Sequence, residues 1–479
     1  MIKAVDVLFI FTDINGYYPE TYNFGIGYLS SVLKENGFST SLLIVRSKED
    51  YKNVLNTVLE LKPKIVGFTS VSSQFVFVSD LAKMIKEIHK CTIVCGGVHV
   101  TIFPECLSSV PFFDGFFIGE SEFSFLEFVS AAVRGGDYKG TDNFCYMEGG
   151  RIVKNRLRER IKEIDRLPFS DRDIFNYQSI IDESDGMAQV LTNRGCPFSC
   201  TYCSNHAIAR VYGEGRNITR YHSVKYALTE IDMLKSKFKF KTLWFIDDLF
   251  ILNKPWLNDF LSEYKKRFSI PFMCQLRPDV CTREVVFRLK EAGCYKVFLS
   301  IESANDYIRN TVMKRNITKS QLENAFMWAK EAELEILSAN IIGVPGETEE
   351  SIMETINFNR KMNPTIAGIN IFSPYEGTEL GDYCREKGLI REIDSHSFFD
   401  RRQTKLMLPT ISRSKLKRFH DNFQYLVYKD IDVQKTKQAL LKIWSTRYAG
   451  LEELFLFGPV FKKLRKTVKA LGRRMLLNK

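Results

Sequence analysis

Asn193-Arg194-Gly195-Cys196-Pro197-Phe198-Ser199-Cys200-Thr201-Tyr202-Cys203 is the stretch from which the rest of this chain can be read. Its cysteines are spaced C-x3-C-x2-C. Thiolates are soft ligands that suit iron–sulfur clusters and zinc. Three on one short loop can hold three corners of a [4Fe–4S] cube and leave the fourth iron open to a small molecule, whereas clusters more often take four cysteines. With 11 cysteines in 479 residues, chance yields about 0.006 such spacings per chain, so the pattern is informative. His206 follows Cys203 closely, and C-x3-C-x2-C-x2-H would also close a tetrahedral zinc site.

Working outward, residues 187–380 repeat a strand–helix pattern about six times. Strands are expected at 188–192, 242–246, 272–276, 296–301, 336–342 and 368–372, with helices near 222–237, 255–268, 282–292, 319–332 and 349–362. The first strand feeds the cysteine loop, and (β/α) barrels place their chemistry at this carboxyl end. The later strand ends carry polar groups: Asp247-Asp248, Arg277 in Gln275-Leu276-Arg277-Pro278-Asp279, Glu302 in Leu299-Ser300-Ile301-Glu302-Ser303, and Ile341-Ile342-Gly343-Val344-Pro345-Gly346-Glu347-Thr348. One of the two aspartates can serve only as a helix cap, and Arg277 fits a structural ion pair as well as a ligand contact.

On the cysteine loop, with Tyr202 just before the third cysteine, and on the order of these strand ends, the chain resembles the radical S-adenosylmethionine (SAM) superfamily. The resemblance implies a [4Fe–4S] cluster on Cys196, Cys200 and Cys203 whose open iron chelates SAM, and reductive cleavage of SAM to a 5′-deoxyadenosyl radical. It places Tyr202, Asp247, Arg277, Glu302 and Gly343 around SAM. Asp247 is the first choice for the ammonium group, Arg277 for the carboxylate, Glu302 for the ribose hydroxyls and Gly343 for backbone contact with adenine. A reductant such as flavodoxin or ferredoxin is implied as a partner.

Residues 1–135 also alternate strand and helix. Apolar runs at 5–11, 41–45, 65–68, 92–95 and 113–118 are separated by helical stretches at 24–36, 50–61, 76–90 and 121–134, which predicts a parallel, doubly wound sheet. Its ligands would bind outside the carboxyl ends of the strands. The loops there hold Ser72 and Gly96-Gly97-Val98-His99-Val100-Thr101, followed by Gly119-Glu120-Ser121-Glu122. Ordinary turns of an α/β domain explain such loops as well as a ligand does. In sequence context, however, they resemble the cobalamin (B12)-binding domain that precedes the radical SAM domain in a large subfamily. The resemblance implies cobalamin against Asn15, Ser72, Gly96, Gly97 and Thr101, with Ser72 and the glycine pair lining the groove for the nucleotide tail. Many such domains ligate cobalt through Asp-x-His-x-x-Gly. Here Asp13-Ile14-Asn15-Gly16-Tyr17-Tyr18 puts Asn15 in the histidine's place, so no histidine is expected on the lower face. His99 is read as a loop residue.

The fold expected is therefore α/β: a doubly wound Rossmann-like cobalamin-binding domain (1–135), a solvated linker with a hairpin at Gly149-Gly150 (136–186), a radical SAM (β/α)6 partial barrel (187–390) and a small, mostly helical C-terminal region (391–479). The reaction implied is methylation of an unactivated carbon of a small-molecule or lipid-like substrate. Cobalamin-dependent cyclisation, rearrangement or oxidation stands beside it. A non-catalytic corrinoid or iron–sulfur sensor and a zinc-binding regulator are the readings from other classes.

Composition agrees with a globular chain, at 45% hydrophobic and 26% charged. No signal peptide opens it, and no run of about 18 apolar residues predicts a membrane span. The cysteines read as cytosolic thiols and ligands rather than a disulfide framework, and a cytoplasmic location is expected. The net charge is +11, and residues 460–479 carry eight basic residues and no acidic one. Apolar positions step by three and four through that tail. A basic amphipathic helix can lie on an anionic membrane, or dock on its own protein; nucleic-acid binding ranks third.

Overall fold

The structure is a computed structural model that describes residues 5–14, 22–213, 219–390 and 401–447. Asn15 and the basic tail 460–479 lie outside these residues. The chain forms two compact units. One comprises Met1–Gln275 with Val312–Arg315 and Ser373–Met407; the other comprises Leu276–Thr311, Asn316–Phe372 and Leu408–Lys479.

The first unit opens with β1 (Val7–Thr12), β2 (Thr40–Val45), β3 (Ile65–Thr69), β4 (Thr92–Gly96) and β5 (Gly115–Phe117). All five are parallel, in the order β2-β1-β3-β4-β5. Val7, Leu8, Phe9 and Ile10 are all buried, because helices cover both faces and leave no polar side to the strand. The helix Phe24–Glu35 starts where the Asn23 side chain accepts a hydrogen bond from Ile26 N. Leu8, Ile10, Val66, Phe68, Val78, Leu81, Ile93 and Phe116 share one apolar core. The chain leaves β1 for β2 on one side and returns to β3 on the other. The strand order thus reverses at β1, which opens a crevice at the carboxyl ends of the strands.

Two antiparallel strands, β6 (Phe144–Glu148) and β7 (Arg151–Lys154), turn at Gly149-Gly150 and extend the sheet to seven strands. The segment that follows departs from the expected solvated connector. Ile164, Leu167, Ser170, Arg172 and Phe175 are buried. Arg172 pairs with buried Glu230 at 2.9 Å, and its guanidinium lies 4.1 Å from the Tyr22 ring centre. The Tyr22 and Ser170 hydroxyls are 2.6 Å apart. A buried charge that finds a counter-charge and an aromatic face can be packed rather than solvated.

Next come β8 (Met187–Val190), β9 (Asn193–Arg194), β10 (Arg220–Tyr221), β11 (Thr242–Phe245) and β12 (Phe272–Leu276). β11 pairs in parallel with β8 and β12. β9 and β10 form a separate antiparallel pair with Arg194 opposite Arg220. In the second unit β13 (Cys294–Glu302), β14 (Glu335–Ile342) and β15 (Ile366–Ile371) are parallel. The helices Glu349–Met362 and Arg413–Tyr428 pack on this sheet through Ile352, Ile356, Leu416, Phe423 and Val427. All six strands expected between 187 and 380 form, alternating with helices. Among the described residues no helix is long and apolar enough to cross a membrane.

Candidate functional site

The cysteine segment is pinned before its first cysteine. Asp247, just past β11, is fully buried, and its carboxylate accepts from Thr192 N at 2.7 Å, Asn193 N at 2.6 Å and the Thr192 hydroxyl at 3.1 Å. Burial pushes this carboxyl up to about 7, against the pull of those hydrogen bonds. Gly195 then takes a φ of 95°, a left-handed turn that only glycine adopts freely, and the chain enters Cys196. Further on, Thr201 N donates to Met313 O at 3.2 Å, the Thr201 hydroxyl to Val312 O at 2.7 Å, and Leu380 N to Thr201 O at 2.9 Å. Arg315 donates to the Tyr202 hydroxyl at 2.7 Å.

Cys196, Cys200 and Cys203 form no disulfide; Cys200 is buried and the other two are half-buried. Burial pushes the Cys203 thiol up to about 12, and neighbouring Asp248, Cys200 and Cys196 push the same way. Three sulfurs and the Asp248 carboxylate thus feel one another's charge. Among the described residues no three His, Cys, Asp or Glu side chains close around a single metal ion. A cubane makes no such demand, because each thiolate takes a different iron. His206, the fourth ligand of the zinc reading, instead faces Glu379 at 3.5 Å.

The adjacent aspartates divide. Asp247 spends its carboxylate on the backbone of 192–193 and has little left for a ligand. The Asp248 side chain remains accessible to solvent while the protein packed around it raises its carboxyl against a hydrogen bond from Asn205. In the second unit, Arg277 is buried and its Nε donates to Asp279 at 2.7 Å. Glu302 sits where a bulge interrupts the β13–β14 pairing and has a φ of 60°. Backbone strain of that kind in a non-glycine residue concentrates at functional sites. Gly343, with a φ of 84°, and Val344 both donate their N–H to the buried Glu347 carboxylate. Burial pushes Glu347 up to about 8, opposed by those two bonds.

A cavity of about 260 Å³ opens at the crevice beside β1, β3 and β4. Gly96 and Gly97 line it, with walls from Phe9, Phe68, Phe117 and Phe125. Gly97 has a φ of 97°, and a Cβ there would come within 2.7 Å of Ser70 O. Ser72 and Thr101 do not line it. The Ser72 hydroxyl is 3.0 Å from His99 Nδ1, and the Thr101 hydroxyl accepts from Gly119 N at 3.0 Å. Burial, helped by Lys405, lowers His99 to about 4, so the ring stays neutral.

Four charged residues foreseen in no role tie this cavity to the cysteine segment. Arg194 meets Glu122 at 2.7 Å and Glu120 at 4.0 Å, and its guanidinium lies 4.7 Å from the Tyr28 ring centre. Arg220 meets Glu120 through both terminal guanidinium nitrogens, one at 2.8 Å. Burial raises the Glu120 carboxyl, but Arg220, Arg194 and Arg160 together hold it below the usual carboxylate range. Tyr212, after the helix Ser204–Val211, packs against Gly119, and its hydroxyl accepts from Glu120 N at 2.8 Å. The one signal in the sequence was an arginine directly before Gly195-Cys196 and a paired-acid loop with no assigned partner.

Comparison with known proteins matches the radical SAM superfamily over residues 190–358 and a B12-binding domain over residues 14–129. An uncharacterized methyltransferase of Pyrococcus horikoshii is 30% identical over 369 residues, covering 76% of this chain and 79% of that protein. An anaerobic magnesium-protoporphyrin IX monomethyl ester cyclase of Rubrivivax gelatinosus is 24% identical over 481 residues, covering 94% of this chain and 84% of that protein. The fold matches the radical S-adenosylmethionine methyltransferase TsrM from Kitasatospora setae with cobalamin and a [4Fe–4S] cluster bound. The TM-score is 0.65 at 14% identity, over 91% of this chain and 99% of that one.

Proposed function

The chain belongs to the cobalamin-dependent radical SAM methyltransferase family, and from that premise we propose that it methylates an unactivated carbon of a small-molecule or lipid-like substrate. The observation that carries the reading is the continuity of the first unit. One short stretch, 191–203, lends Leu191 and Arg194 to the wall of the corrinoid-side cavity and then carries all three thiols.

When bound, the cluster with SAM supplies a 5′-deoxyadenosyl radical and cobalamin a transferable methyl group; the protein's share is binding, orientation and exclusion of side reactions. Cys196, Cys200 and Cys203 would hold the cluster. Their donor set fits, being three thiols outside any disulfide on one clamped loop. Asp248, accessible beside Cys203, would take the SAM ammonium, while Asp247 keeps the loop in place. Tyr202, held by Arg315, would flank SAM. Arg277, Glu302 and Gly343 would keep the roles that the superfamily gives them, with Arg277 already sharing its charge with Asp279. Gly96 and Gly97 would admit the nucleotide tail of cobalamin, and Ser72 and Thr101 would support it at one remove. A flavodoxin or ferredoxin would deliver the electron. The basic tail 460–479 would make peripheral contact with an anionic membrane, which co-sedimentation of the full chain and a 1–459 truncation with liposomes tests.

Cyclisation is the second reading, favoured by the relative named a cyclase. SAM labelled in its methyl group separates the two. Protein purified without oxygen and reconstituted with iron, sulfide and cobalamin should hold about four irons and release 5′-deoxyadenosine on reduction. Label transferred to carbon of an added substrate supports methylation. 5′-Deoxyadenosine released with unlabelled product supports cyclisation or another rearrangement and overturns it.

A further inference from the structure

The helix Val433–Arg447 presents an apolar face to solvent. Its inner side is fixed to the second unit. Lys435 Nζ donates to Asn363 Oδ1 at 2.8 Å and to Pro364 O at 2.9 Å, and Ala439 is buried. On the outer side Val433, Leu440, Leu441 and Trp444 are 45–73% exposed. At about 100° per residue these four fall within a stripe about 100° wide, and exposed Lys437 lies inside it. Twelve large hydrophobic side chains are exposed among the described residues, and five of them, these four and Ile431, stand within 431–444. Exposed apolar residues scattered singly need no explanation, whereas a contiguous set marks a surface that meets a partner.

Charge decides which partner. From Val433 to Arg447 the sequence holds Lys435, Lys437, Lys442 and Arg447 and no acidic residue. A second copy of the chain would bring the same face to this one, because a two-fold contact is isologous. The lysines of one copy would then meet those of the other, with no carboxylate in either helix. Residues 460–479 fit no better, with eight basic residues and no acidic one. A nucleic acid would neutralise the lysines but leave the leucines uncovered. An anionic lipid surface answers both features: headgroups meet the lysines, and the acyl boundary takes the valine and leucines. Tryptophan favours such an interface, with its ring in the apolar layer and its N–H toward water. Lysine stems lie along apolar surface and keep the ammonium among the phosphates.

We propose that the exposed face of Val433–Arg447 docks on an anionic membrane surface, with Leu440, Leu441 and Trp444 entering the headgroup layer. This adds a contact to the one read for 460–479 and rests on the same peripheral association. The test is co-sedimentation of the full-length protein and its Leu440→Glu, Leu441→Glu double variant with vesicles of phosphatidylglycerol and phosphatidylcholine, and of phosphatidylcholine alone. The wild type should bind the anionic vesicles and not the neutral ones. The two glutamates should weaken that binding about tenfold with unchanged circular dichroism. Anionic vesicles should also shift the tryptophan emission to the blue, and Trp444→Phe should remove the shift. Unchanged binding by the double variant overturns the proposal, and a 1–459 truncation then shows whether the tail alone makes the contact. Equal binding of both kinds of vesicle, or a wild-type dimer that the glutamates dissociate, overturns it as well. Should the double variant fail to fold, a wild type without the blue shift, or a shift that survives Trp444→Phe, overturns it alone. A wild type that binds no vesicle removes the tail reading along with the proposal.

Discussion

The cavity beside Gly96 and Gly97 and the cysteine segment would meet the ligands proposed for them by opposite means. The cavity is made of glycine backbone and phenylalanine rings. The cysteine segment relies on buried and half-buried ionisable groups, each with a polar partner: Asp247 with two backbone N–H groups and a hydroxyl, Tyr202 with Arg315, Cys203 beside Asp248. A large, mostly neutral ligand is recognised by shape, and shape costs the protein backbone freedom. A metal cluster and a zwitterion are recognised by charge, and buried charge must be paired. The first kind of site fails when a side chain intrudes; the second fails when a partner is removed.

Four experiments probe that contrast, the three on the two sites in falling order of expected effect and then one of pH. Cys200→Ala removes one of the three donors; iron content should collapse and 5′-deoxyadenosine release should vanish, while cobalamin binding persists. Gly97→Ala attacks the other site by intrusion. The φ of 97° and the approach to Ser70 O should destabilise the fold by about 1–3 kcal/mol, read as a lower melting temperature, and abolish cobalamin uptake while iron binding survives in the folded fraction. The adjacent aspartates should part ways. Asp247→Ala strands two backbone N–H donors and should cost about 1–3 kcal/mol of stability. Asp248→Asn should leave stability within about 0.5 kcal/mol and raise the KM for SAM; equal melting curves for the two variants would erase the distinction.

The fourth experiment is one of pH. The Glu347 carboxyl is raised from an ordinary 4.5 to about 8, first by burial. Between those values the folded protein binds a proton that the unfolded chain has released, so stability falls as pH rises through that window. The stability that Glu347 adds is complete below about pH 4.5 and gone above about pH 8. Glu347→Gln should flatten the decline in melting temperature over that range. An identical slope in the variant would mean that the carboxyl is ionised throughout.

Much of this was legible in the sequence because it is local. The cysteine spacing, the alternation of apolar runs with helical periods and the Gly96-Gly97 pair are patterns a few residues long, and they gave both halves of the fold. What stayed hidden depends on partners far along the chain. Arg172 reads as a solvated charge until Glu230, 58 residues on, is seen to bury it. Asp247 and Asp248 are chemically identical, and successive residues at a strand end face opposite ways, so composition cannot tell which one turns inward. Arg194 and Arg220 find Glu120 and Glu122 across many residues, and no local period encodes such a pairing.

The contact between Gly119 and Tyr212 bears on how such a chain can change over evolutionary time. Gly119, with a φ of 75°, belongs to the stretch that matches a B12-binding domain, and Tyr212 to the stretch that matches the radical SAM superfamily. The ring fills the space that any side chain at 119 would take, and its hydroxyl engages the next backbone N–H. The two stretches are therefore not interchangeable modules. A chimaera that imports the corrinoid half of a relative with a larger residue at 119 will clash with this tyrosine unless the two positions travel together.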